Sequence, residues 1–119
     1  MDARSTGYSA ERLAECYLIE QGYHIVARNF HFGRYGEIDL VAYDGTVLVF
    51  VEVKYRRSTQ YGTPEEAVTE RKRAQLRRIA EGFLYTQPHV HASEYRFDVI
   101  AIEGTVGKPV IRHWKDAFW

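Results

Sequence analysis

Residues 36–56 read GEIDLVAYDGTVLVFVEVKYR, and their interpretation decides the fold. Two runs rich in β-formers flank Asp44-Gly45, the strongest short-range signal for a hairpin. The second run, VLVFVEVKY, reads as a central strand that is nearly all apolar until Glu52 and Lys54 interrupt it. Side chains alternate across a strand, so Glu37 and Asp39 share one face of the first run. Glu52 and Lys54 share one face of the second, together with Leu48 and Phe50. With Asp44 and Gly45 as the two turn residues, Asp39 lies opposite Phe50 and Glu37 opposite Glu52. Asp39 is then diagonal to Glu52 on the same face, with backbones roughly 7–8 Å apart. A three-residue turn would send one set to the opposite face and dissolve the grouping.

Outward from this block, a first helix is expected from about Ser9 to Gln21, with Ser9 as cap and Gly22 as terminator. Ala10, Ala14, Tyr17 and Leu18 recur at helical spacing and give it a buried face. A strand over Tyr23 to Phe32 follows, and Gly33 and Gly36 bracket a turn. Beyond the block, Thr63-Pro64-Glu65-Glu66 carries the marks of a helix start: a cap, a first-turn proline and a capping box. Ala67, Val68, Ile79, Ala80, Phe83 and Leu84 continue its apolar stripe until Pro88. Strands near 95–102 and 110–114 complete the order α-β-β-β-α-β-β. A helix linking strands implies an α/β (α+β) fold with a mixed β-sheet flanked by helices.

The 119 residues suit a single domain spanning 1–119. No run reaches the roughly 20 apolar residues that span a bilayer, and MDARSTGYSAER lacks the apolar middle of a secretory signal. The lone Cys16 cannot form an internal disulfide and is expected to pack as a small hydrophobe on the first helix. A cytoplasmic protein without membrane contact is the expectation. Formal net charge is zero, so any grip on a polyanion must come from segregated charge. Lys54, Arg56 and Arg57 form one basic run, and Arg71, Lys72, Arg73, Arg77 and Arg78 another.

Placing Glu52 and Lys54 in a central strand is costly unless they find partners, because a buried unpaired charge costs several kcal/mol or more. Two readings fit. In one, both lie at the solvent end of the strand and pair with each other. In the other, two or three carboxylates and a backbone carbonyl hold a hard divalent ion, and the lysine orients water or stabilises phosphoryl charge.

The GEIDL…FVEVK block, with ARNF at 27–30, YGTPEEAVTERK at 61–72 and RFDVIAI at 96–102, resembles the YraN-type family of small bacterial endonuclease-like proteins over nearly the whole chain. That family in turn resembles the PD-(D/E)xK nuclease superfamily, which includes archaeal Holliday-junction resolvases. The resemblance implies a restriction-endonuclease-like sheet and a metal-dependent nuclease acting on DNA. It implies that Asp39 and the Glu52-x-Lys54 pair bind Mg2+ or Mn2+ and activate water, helped by the Val53 carbonyl and by Glu11 on the first helix. Ile38 stands where the superfamily pattern has proline. By analogy with resolvases, cutting across a junction would require a homodimer.

Other residues carry paired readings. Glu11 borders the buried helix face and either reaches a metal or stays in water; Glu37 is a surface acid or supports Asp39. Lys72, with Gln75 nearby, either snorkels or points inward to the site or a phosphate. Arg56 and Arg57, extended by Arg28 and Arg34, are placed for phosphate contacts. His89 and His91 lack a third ligand and are read as loop or edge residues. Two further functions stay open: a nuclease-fold module that binds DNA without cutting it, and an interaction protein whose acid–lysine cluster is only structural.

Overall fold

The computed structural model describes residues 3–56, 68–88, 90–105 and 108–118. Helix α1 runs Ala3–Glu20, followed by strands β1 His24–His31, β2 Glu37–Asp44 and β3 Val47–Arg56, helix α2 Glu70–Thr86, and strands β4 Glu94–Thr105 and β5 Lys108–Phe118. A 3₁₀ turn at Gly33–Tyr35 joins β1 to β2. The five strands form one sheet in sequence order. Only β3 and β4 are parallel, because α2 carries the chain back between them; the other neighbours are antiparallel. The mixed sheet flanked by helices and the element order agree with the sequence reading.

Each sheet face has its own core. Ala10, Ala14 and Leu18 of α1 bury against Leu40, Val49, Val51, Ile100 and Ile102. Leu76, Ile79 and Phe83 of α2 bury against Val41, Phe50, Phe97 and Val99 on the other face. Phe50 and Phe83 meet edge to face at 5.9 Å, and Phe97 stacks on Phe118 at 4.9 Å. Aromatic pairs of this kind add about 0.5–1.5 kcal/mol beyond the area they bury. Among the described residues, no helix is long and apolar enough to cross a membrane.

Four local expectations need correction. Helix α1 begins at Ala3, so Ser9 lies inside it and not at its cap. Its end is as read: Gly22 has φ 92, and the Tyr23 amide donates to the Leu18 carbonyl at 2.9 Å. Helix α2 starts at Glu70, capped by the Thr69 hydroxyl accepting from the Lys72 amide at 3.2 Å; the proposed capping box at Thr63–Glu66 lies outside the described residues. Cys16 is exposed. Two residues on from the buried Ala14, it has turned about 200° round the helix and faces water.

The hairpin turn is the fourth. Asp44 pairs with Val47, so Gly45 and Thr46 make the turn and every β2–β3 rung is displaced by two residues from the expected register. Gly45 takes φ 62 while Thr46 does not have positive φ, as a type II′ turn requires of its first and second central residues. Asp44 stays on the strand because Arg96 binds its carboxylate at 3.0 Å. A two-residue displacement preserves faces. It brings Asp39 level with Glu52, one rung beyond the Leu40–Val51 pair.

Candidate active site

At the end of β2 and β3 away from the hairpin turn, the regular ladder stops at Leu40–Val51. Ile38 packs in the core beneath α2, whereas Leu40 packs in the core beneath α1. On a regular strand these two would share a face, so β2 rotates around Asp39. The next amide of β3 that could bond to β2 takes a side chain: Val53 N–H donates to Asp39 Oδ2 at 2.8 Å. Val53 thus enters the site through its amide.

Four acids converge here. Carboxylate oxygens of Glu11, Glu37 and Asp39 lie within 4.8 Å of one another, a spacing that suits shared coordination of a cation. Glu11 reaches the group from α1, and Asn29 of β1 donates to its Oε2 at 3.0 Å. Asn29 has φ 50, a left-handed backbone conformation that asparagine tolerates better than most residues. Glu52 approaches from β3 and is nearly buried, as is Asp39. Lys54 Nζ lies 3.6 Å from Glu52 Oε1, with the lysine side chain 32% exposed.

The electrostatics follow from this crowding. Burial, then the charge of Glu52, pushes the Asp39 carboxyl up to about 8, with Glu11 and Glu37 adding to the rise and the Val53 amide opposing it. Burial also holds the Glu52 carboxyl above its ordinary value, although Lys72 and Lys54 pull it down. Lys72, half-buried on α2, therefore acts on this site. Such acids ionise readily only if more positive charge arrives. A cluster of carboxylate oxygens is donor chemistry that suits a hard divalent cation.

The structure separates the remaining sequence candidates. Glu37 joins the acids and also contacts His31 at 2.9 Å. Arg28 is clamped by Glu15 of α1; with Glu11, Asn29 and Leu40 the pair lines a hollow of about 140 Å³ beside the acids. Arg56 is buried next to Glu103, its Cα partner on β4, which points it into the protein. Gln75 is exposed. Arg57 and His89 lie outside the described residues, and His91 is exposed.

A second buried polar group was not singled out in the sequence. Asp98 of β4 is fully buried; His113 Nε2 lies 2.7 Å from its Oδ2, Arg96 Nε donates to Oδ1 at 2.9 Å and the Asp116 amide donates to Oδ1 at 3.0 Å. Arg96 also binds Tyr23 and Asp44, and His113 meets Tyr17. Burial would push the Asp98 carboxyl up, but these donors outweigh it and hold the group below its ordinary value. The alternation RFDVI put Arg96 and Asp98 on one face with Ile100, a signal that could have been read.

Comparison with known proteins places the chain in a family. The model of "Uncharacterised protein family UPF0102" matches residues 10–102, which include every acid of the site. A UPF0102 protein of Natranaerobius thermophilus is 44% identical over 119 residues, covering 99% of this chain and all of that one. Relatives from Syntrophomonas wolfei and Rhodococcus opacus are 48% and 49% identical, covering 97% and 94% of this chain and 98% and 94% of theirs. With the family model spanning most of the chain and relatives matching end to end, the chain belongs to the UPF0102 family.

Proposed function

We propose that the chain is a single restriction-endonuclease-like domain that cleaves phosphodiester bonds of DNA in the cytoplasm, using Mg2+ or Mn2+. One observation carries this reading: Asp39 and Glu52, two nearly buried acids on parting strands, are both held above their ordinary range beside Lys54. Asp39, Glu52 and Glu11 would hold the ion, with Glu37 as a further oxygen donor and the Val53 carbonyl as a backbone one. A divalent ion bound there supplies Lewis-acid stabilisation of charge at the phosphoryl group.

The chain's own groups do the rest. Val53 N–H fixes one oxygen of Asp39 and so directs the other. Lys54, partly open to solvent, is placed to orient the attacking water and to balance charge as it builds on phosphate. Lys72 adds positive potential from α2. Contacts to backbone phosphates position a duplex and carry little base information.

Labelled duplex, single-stranded and four-way-junction DNA incubated with manganese, magnesium or EDTA tests the proposal. Cleavage is expected with metal and abolished by Glu52→Ala or Lys54→Ala in folded protein. Unchanged cleavage in either variant would sink the assignment. DNA retarded on a gel yet never cut would favour a non-cutting binding module. The Glu52–Lys54 contact also fits a purely structural pair, in which case replacing both with apolar residues is tolerated.

A further inference from the structure

The turn joining β1 to β2 carries an aromatic stack that the acids do not use. Phe32 and Tyr35 lie nearly parallel, ring centroids 6.0 Å apart and planes 14° from one another. Against Phe32 sits Gly82 of α2, where a Cβ would fall 2.5–2.6 Å from three atoms of the ring. Only glycine lets the ring lie that close to the helix. Phe32 is thereby pinned, and Tyr35 stacks beside it with 41% of its surface exposed.

The backbone holds this arrangement. Gly33 and Gly36 take φ 53 and 107. The Tyr35 amide donates to the Phe32 carbonyl at 3.0 Å, and the Phe32 amide donates to the Gly36 carbonyl at 3.1 Å. Arg34 between them is exposed and has no ion-pair partner among the described residues. Two residues after Tyr35 comes Glu37, whose carboxylate is one of the converging acids. Two residues of chain span at most about 7 Å, which bounds the distance between the Tyr35 and Glu37 backbones.

A braced, exposed aromatic ring with a cation beside it in the chain suits an unpaired nucleotide. The base stacks on the ring and the phosphate meets the guanidinium. A duplex keeps its base faces within its own stack and gains nothing from Tyr35. We infer that Tyr35, braced by Phe32, stacks an unpaired base beside the phosphate to be cut, so that the substrate carries a single-stranded segment such as a flap or frayed end. The location of the cut rests on the nuclease reading; the stacking needs no cleavage.

Fluorescence anisotropy of a labelled single strand in EDTA, where nothing is cut, tests the inference on the full chain. The parent is compared with Tyr35→Ala and Tyr35→Trp, their folding checked by circular dichroism, on DNA strand, matching RNA strand and matching duplex. Tyr35→Ala should lose roughly 5- to 150-fold in affinity for a strand, the effect of deleting one base–aromatic stack. Tyr35→Trp should retain it, and duplex affinity should be the same in all three. Dependence on Tyr35 with either strand supports the inference, and the better-bound strand names the backbone. The inference is overturned if the parent binds no strand, if Tyr35→Ala binds strands as the parent does, or if strand and duplex affinities fall together. Tyr35-dependent binding by a protein that cuts nothing would remove the nuclease reading alone. Metal-dependent cutting with no role for Tyr35 would remove this inference alone.

Discussion

Two parts of one sheet bury acids and treat the charge in opposite ways. Asp98 is fully buried and Asp39 is 9% exposed. Around Asp98 the chain supplies Arg96, His113 and a backbone amide, and the carboxyl stays below its ordinary value. Around Asp39 it supplies one amide and three more acids, and the carboxyl rises to about 8. Desolvation is common to both, so the partners decide the outcome. A buried acid whose charge is already answered holds the fold together. One surrounded by acids is left without an answering charge, and under the proposed function a divalent cation would supply it.

The largest test of this contrast is on the satisfied side. Asp98→Ala leaves Arg96 and His113 without their carboxylate, and truncating one partner of a buried ion pair costs about 3–5 kcal/mol. Urea denaturation should report a loss of that order; a loss well under about 1 kcal/mol would remove the structural role assigned to Asp98. On the other side the sign reverses. Asp39→Asn removes the repelled charge and keeps the shape, so metal-free protein near pH 8 should gain stability, on the order of a few kcal/mol, while cleavage is lost.

The parent's pH profile is a gentler version of the same test. The folded Asp39 carboxyl titrates at about 8 against an ordinary 3.8. Between those values the folded chain keeps a proton that the unfolded chain has released. Asp39 therefore favours folding fully below its unfolded value, and that advantage is lost as pH rises toward the folded one. In EDTA the melting temperature should fall across this window, and manganese should restore it near pH 8 but not in acid. A profile indifferent to pH and manganese would erase the distinction between the two acids. The smallest effect belongs to the rim. Arg28 is 59% exposed in its pair with Glu15, and exposed pairs contribute little; Arg28→Ala should leave the melting temperature nearly unmoved.

Much of this was legible from residues alone, and the failures have physical causes. The hairpin was read two residues out because Asp44 is retained on its strand by Arg96, a partner 52 positions away. The acids still met because an even displacement keeps every face. Lys72 as an inward residue and Glu11 as a helix acid reaching the site were both among the readings on offer. Glu37 was read as more a surface acid than a support for Asp39, since nothing local marks the rotation of β2 that gathers it in. Cys16 was misplaced against a signal that was available, its position opposite Ala14 and Leu18 on the helix. The Asp98 group joins residues from α1, β2, β4 and β5, and single-segment patterns do not reveal a network of that range.

The most direct measurement of the central claim is calorimetric titration of manganese into metal-free parent and Asp39→Asn near pH 8. The account predicts saturable binding to the parent, with uptake accompanied by proton release, and no binding to the variant. Equal binding to both proteins, or none to the parent, would contradict it.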